Sequence, residues 1–409
     1  MNSREAAFLA LLHSLRGERY ISDYLEDWFI QEKPHAQDYH LAQQIAYGSA
    51  QMALALDFLA LQVSEKKKVH LKLKEKALLR TALYQIYFLN RVPHYAIVDE
   101  TIKVAKNYFH KYFVSYLNAI LRKSVDIELK LPQQNDASSL SIRYSFPTSY
   151  VSELLHHYGE EKTLEILRAS NHPAVMMARL RNPTESSIDW ISIIKHPLPV
   201  VIIPPIEMFK IVKSSDFYIQ NVTPVQLISQ LCEKLTIPPQ SILDMCAAPG
   251  GKSLAVHDFF PEAELFANDV SEDKLMKLKE NFQKYEIQAH VLCNLGQDIA
   301  FEEKFDLIIL DVPCSNSGVL NKRPEARWRL NEENSQQLEK TQWGLLEKAK
   351  TLLKPRGQIW YMTCSILPQE NERMVEKACR ELGFKELHRQ LILPNLEGWD
   401  GGFASCLEN

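Results

Sequence analysis

Glycine is scarce in the first 250 residues of this chain, and cysteine is absent from most of them. Of 13 glycines only Gly17, Gly48 and Gly159 precede residue 250, and the seven cysteines stand at 232, 246, 293, 314, 364, 379 and 406. No two of them form C-x-x-C, and no histidines accompany them at metal-ligand spacing, so neither a disulfide framework nor a metal site is expected. No uncharged apolar run approaches the roughly 20 residues that cross a bilayer. The opening MNSREAAFLALLHSLRGERY carries charge on both sides of a short amphipathic segment, which does not read as a cleavable signal. A cytoplasmic protein without a membrane partner is expected. A net charge of −4 over 409 residues gives no argument for a polyanionic partner, which has to come from local charge.

What is present divides in two. AAFLALLHSLRGERYISDYLEDWF, HLAQQIAYGSAQMALALDFLALQV, KALLRTALYQIYFLN, HYAIVDETIKVAKNYF and FVSYLNAILRKSV repeat apolar residues every three or four positions, which predicts an all-α bundle over residues 1–130. Residues 131–147, LPQQNDASSLSIRYSFP, are polar and serine-rich and read as a linker. Strand-like AVMMARLRN and LPVVIIPP follow a helical piece, giving a small α+β region to residue 219. From 220 to 409 the apolar runs SILDM, AELFAND, AHVLC, FDLIILD and GQIWYMT alternate with helical stretches, which predicts a Rossmann-like α/β domain with ligands at the carboxyl ends of its strands.

CAAPGGKS, residues 246–253, sits at such a strand end and is one residue away from a phosphate loop, with Cys246 in place of the first glycine. Asp311, closing LIILD, imitates the second element of an ATPase. Against that reading, Pro249 removes one of the N–H groups that cradle phosphate. Gly250 and Gly251 would let backbone approach a bulky ligand, and Asp269 ends the next strand where a ribose-binding carboxylate belongs. Cys314 and Cys364 each follow a strand and are flanked by turn residues, on the rim that holds Asp311. A thiolate beside a nucleoside cofactor suits methylation at carbon 5 of a pyrimidine. Addition of sulfur to carbon 6 gives carbon 5 the enamine character it needs to attack a methyl electrophile.

LDMCAAPGGKS, FDLIILDVPCSNSGVLNKRPEARW, YMTCSILPQENE and the closing WDGGFASCL, in that order, resemble the RsmB-type (Fmu/Sun) RNA cytosine-5 methyltransferases. TALYQIYFLNRVPHYAIVDETIKVAKNYF with SYLNAILRK resembles the NusB-like domain of bacterial members. The resemblance implies S-adenosylmethionine as cofactor, held by Cys246, Ala247, Ala248, Pro249, Gly250, Gly251 and Lys252, with Asp269 on the ribose. It implies Cys364 as nucleophile and Cys314 as the thiol that aids product release, because the TCS loop carries the attack here, whereas cytosine-5 DNA methyltransferases use the proline-cysteine loop. Asp311 would border both cofactor and base. Asn294 stands near the place of an adenine-binding aspartate, Asn221 stands where QD is common, and the usual DAPCSGTG reads DVPCSNSG. The implied substrate is a cytidine of small-subunit (16S) ribosomal RNA, free or partly assembled, met by a monomer. The alternatives are an RNA-binding assembly factor without turnover and a phosphate-loop ATPase.

Local charge supports an RNA partner. EKKKVHLKLKEKALLR, residues 65–80, holds six lysines and one arginine against two glutamates, and residues 102–123 hold five basic side chains and no acid among several aromatics.

Overall fold

The computed structural model describes residues 1–64, 70–128, 130–181, 192–194 and 198–409, so Lys66, Lys67 and Lys68 of the basic run lie outside the described residues. The chain divides into two compact units, Met1–Leu167 with Arg323–Arg329, and Arg168–Lys322 with Leu330–Asn409. Among the described residues no helix is long and apolar enough to cross a membrane.

The first unit is helical, as its periodicity predicts. Its elements are α1 (Ser3–Leu15), α2 (Ile21–Glu32), α3 (Ala36–Gln51), α4 (Ala53–Ser64), α5 (Leu73–Phe88), α6 (His94–Tyr108), α7 (Lys111–Asp126), α8 (Ala137–Tyr144) and α9 (Thr148–Ala169). Two stretches read as continuous are broken, one between α1 and α2, where Gly17 has φ +73°, and one at Met52 between α3 and α4. The polar stretch 131–147 is not a plain linker. Asp136 accepts the Ser138 and Ser139 amides and starts α8 as its N-cap. Ser145 ends that helix in the left-handed region, φ +61°, and its hydroxyl accepts the Leu54 amide.

The same unit takes in the segment 323–329. Arg327 is fully buried; its Nε donates to the Pro324 carbonyl, and its Nη1 donates to the carbonyls of Gln51 at 2.8 Å and Ser145 at 3.2 Å. Its guanidinium lies 4.2 Å from the centre of the Phe146 ring, and Trp328 Nε1 donates to the Ala50 carbonyl. Desolvation lowers the Arg327 pKa to about 9.

The basic stretches are only partly free to meet RNA. Lys76 and Arg80 both pair with Asp57, and Arg80 is buried. Tyr108, Phe109, Phe113 and Tyr116 pack on the helical core, whereas Tyr112 is 75% exposed with Lys111 beside its ring.

The second unit carries two sheets. The smaller has β1 (Met177–Leu180), β2 (Ser192–Ile194), β3 (Val200–Ile202) and β4 (Phe217–Ile219) in the order β2-β3-β1-β4, all antiparallel, with α10 (Met208–Lys213) before β4. Then come α11 (Val222–Cys232), β5 (Ser241–Asp244), α12 (Gly251–Phe259), β6 (Glu264–Asp269), α13 (Glu272–Lys284), β7 (His290–Cys293) and β8 (Phe305–Asp311). They are followed by α14 (Glu332–Leu352), β9 (Leu353–Thr363), α15 (Glu372–Leu382), β10 (Lys385–Ile392) and β11 (Gly402–Glu408).

The seven strands of the large sheet run β10-β11-β9-β8-β5-β6-β7. β9-β8-β5-β6-β7 are parallel, and β11 enters antiparallel between β9 and β10. Ile308, Ile309, Leu310, Ile359, Trp360 and Tyr361 are fully buried, as parallel strands covered on both faces require. Strand order reverses at β5, so the crevice between β5 and β8 opens where the sequence places its loops.

Candidate active site

Loop 245–250 turns β5 into α12. Gly250 has φ +106°, and a Cβ there would meet Leu278 Cδ1 at 2.7 Å. A Cβ on Gly251 would lie 3.0 Å from the Tyr218 ring. The glycine pair therefore seats side chains of the chain itself, a use the sequence reading did not foresee. Asp269 Oδ2 accepts the Ala248 amide, and its Oδ1 accepts the Val270 amide. Asn268, fully buried, joins strand ends; its amide donates to the Met245 and Asn294 carbonyls and its oxygen accepts the Asn294 amide. Asn294 is thus fixed by its backbone, and its residue is exposed. Two apolar residues that sequence reasoning passed over, Val270 and Leu295, follow Asp269 and Asn294 and are 56% and 59% exposed.

Ser253, the hydroxyl that would meet a metal in an ATPase, is buried and donates to Asp244 Oδ2 at 2.6 Å. Asp244 ends β5, fully buried. Burial above all pushes its pKa up to about 7, with the Ser253 hydrogen bond opposing and the Asp311 charge adding. A folded-state value above the ordinary ~3.9 means that the folded chain keeps a proton the unfolded chain loses, so this contribution to stability is full below about pH 4 and is lost as pH rises through 7. Asp244→Asn has no charge to bury. Its melting temperature relative to the parent is expected to climb between about pH 4 and 8, as read by calorimetry, and a difference constant over that range would contradict the assignment.

Lys252 reaches across the crevice and donates to Asp311 Oδ2 at 2.5 Å. Burial lowers its pKa, but the Asp311 charge and hydrogen bond outweigh that and leave it raised. Cys314 lies three residues past β8 and Cys364 one past β9, and adjacent parallel strands bring their Sγ atoms to 3.1 Å, both as free thiols. Their hydrogen bond, then burial, then nearby negative charge hold the Cys314 thiol well above the ordinary range.

Glu370, within the quoted PQENE but given no role by sequence, ties the two cysteine loops together. It is fully buried; Oε2 accepts the Ser315 amide at 2.8 Å and the Gln342 amide at 3.2 Å, while Oε1 accepts the Ser365 hydroxyl at 2.8 Å. Ser317 Oγ accepts the Ile366 amide, and the Gly318 amide donates to the Cys364 carbonyl. A Cβ on Gly318 would sit 2.6 Å from Gly401 backbone, which explains why WDGG closes the motif set. Asn221 caps α11 through the Thr223 amide and donates to the Gly398 carbonyl, holding the same closing segment. The structure thus brings Lys252, Asp311, Cys314 and Cys364 to one rim, with Cys246 in the loop after β5 and Asp269 at the end of β6 beside them.

Comparison with known proteins follows this division. Residues 236–396 match the family model described as 16S rRNA methyltransferase RsmB/F, and residues 1–126 match the NusB family. The chain is 28% identical over 436 residues to ribosomal RNA small subunit methyltransferase B of Vibrio cholerae, covering 100% of this chain and 97% of that protein. It is also 28% identical to the protein of the same name from Photorhabdus laumondii, over 92% of each. The solved structure of PH0851 shares the fold over 100% of this chain and 99% of that one, with TM-score 0.78 and 19% identity. NSun6 from Pyrococcus horikoshii, solved with SFG, covers 65% of this chain and 98% of its own, with TM-score 0.56 and 16% identity.

Proposed function

The chain belongs to the RsmB/F family of 16S rRNA methyltransferases, with a NusB-family region ahead of the catalytic one, and on that premise we propose that it methylates carbon 5 of a cytidine in small-subunit ribosomal RNA through a covalent Cys364 adduct. The observation that carries this reading is the thiol pair, 3.1 Å apart, on the rim that holds the Lys252–Asp311 ion pair.

The residues fit an S-adenosylmethionine cofactor, since an acid at the end of β6 stands beside exposed apolar Val270 and Leu295, which suit a ribose next to a flat aromatic base. Loop 246–252, Asp269, Asn294 and Asp311 would hold it, and the cofactor supplies an electrophilic methyl group. Cys364 adds through sulfur to carbon 6 of the base, and carbon 5 becomes nucleophilic. Asp311, its charge balanced by Lys252, hydrogen-bonds the ring edge and stabilises the adduct without repelling the thiolate. Loss of the carbon 5 proton then lets the carbon 6 to sulfur bond break, and Cys314 aids that release.

The enzyme acts in the cytoplasm as a monomer on free or partly assembled RNA, reaching its cytidine unpaired or extruded. The ATPase alternative loses support because the Ser253 hydroxyl is committed to Asp244. The site is tested by mass mapping of 5-methylcytidine in small-subunit RNA from cells with and without the protein. One position is expected to lose its methyl group in its absence, and an unchanged map would overturn the substrate.

A further inference from the structure

Asn316 occupies the position where the pattern CSGTG has its first glycine. Its φ of +59° lies in the left-handed region, which glycine adopts freely and asparagine tolerates better than most residues. If asparagine merely filled this turn, its side chain would need no partners. Here the amide is engaged at both ends: Nδ2 donates to the Cys314 carbonyl at 3.1 Å, and Oδ1 accepts from Cys364 Sγ at 3.3 Å. A carbonyl only accepts, so the amide cannot turn over without setting two oxygens face to face. Its oxygen is therefore fixed toward the thiol.

Two thiols 3.1 Å apart have no intrinsic order, since either can donate to the other. The amide oxygen removes that symmetry. With the Cys364 hydrogen on Asn316, the Cys364 sulfur is left to accept from Cys314. The charged groups facing this pair are Lys252 with its partner Asp311 on the β5 and β8 side, and Glu370 behind Cys314. They act on the pair by charge, while Asn316 acts on Cys364 by direct contact.

We propose that Asn316 is a positioning residue for the nucleophile: its amide oxygen holds the Cys364 S–H and so sets the direction of the hydrogen bond between the two thiols and the readiness of Cys364 to give up its proton. This rests on the reading of Cys364 as nucleophile given above.

The test is alkylation of Cys364 by iodoacetamide in the free full-length enzyme across pH, followed by peptide mass spectrometry, with kcat and KM on RNA measured in parallel. Asn316→Gly suits the backbone and removes the acceptor; Asn316→Asp keeps the size and sets a carboxylate against the sulfur. A neutral hydrogen bond corresponds to about a fivefold factor, so Asn316→Gly is expected to label Cys364 about fivefold faster at neutral pH and to change kcat by a similar factor with KM unchanged. Asn316→Asp is expected to label more slowly than the parent, with its pH curve displaced upward. Coincident labelling curves in all three proteins, or displacements in the opposite sense, overturn the proposal. Failure of the nucleophile reading is separate: Cys364→Ala would then keep its activity, while the labelling shifts persist.

Discussion

Cys364→Ala is expected to transfer no methyl group to RNA while binding S-adenosylmethionine as the parent does. The two outcomes separate because the groups lie on different strands: the loop proposed to hold the cofactor leaves β5, whereas Cys364 follows β9, with β8 between them. Removing a covalent nucleophile takes away the step that activates carbon 5, and such losses run to roughly 10⁴-fold or more. Incorporation of labelled methyl groups and calorimetric titration with the cofactor measure the two quantities independently. Full activity in the variant would sink the covalent mechanism for this chain.

Cys314→Ala is expected to leave enzyme attached to its product. The adduct still forms through Cys364, methyl transfer proceeds, and the breakdown that Cys314 assists becomes slow. Under turnover conditions a protein–RNA band resistant to denaturant should build up, and it should vanish in the double variant that also lacks Cys364. If no band forms while turnover continues at the parent rate, Cys314 has no part in release. The 3.1 Å separation makes the experiment informative, because the removed sulfur is in direct contact with the one proposed to carry the RNA.

The parallel half of the large sheet is legible because buried strands are apolar runs: SILD, ELFAND, FDLIILD and the QIWYMT end of β9 all appear in their expected order. The β10–β11 hairpin is not, since KELHRQLI forms the outer strand of the sheet, mixes charge with apolar residues and presents no run to detect. Helix α8 hides for a different reason. ASSLSIRY has the composition of a loop, and only the Asp136 cap on two serine amides marks a helix start.

At the site, a cysteine just past an apolar strand can be read from position alone. The contacts that order the thiols cannot, because Ser315 and Glu370 meet across 55 residues and Cys364 and Asn316 across 48. The glycine pair in the loop after β5 was legible as glycine and misleading as to cause, since Leu278 and Tyr218 occupy the space their side chains would need.

Arg327 and Trp328 reach the carbonyls of Ala50, Gln51 and Ser145 from a segment that follows the last residue of the main helical block, Leu167, by about 160 positions. During synthesis at ~5–20 residues per second, the nascent helices wait on the order of ten seconds for the piece that completes them. Until it arrives, those carbonyls lack the donors that Arg327 and Trp328 supply, and the Phe146 ring lacks the guanidinium beside it. A nonsense codon anywhere before 323 would therefore strike the first unit as well as the second, and the order in which this chain is made differs from the order in which its parts can finish folding.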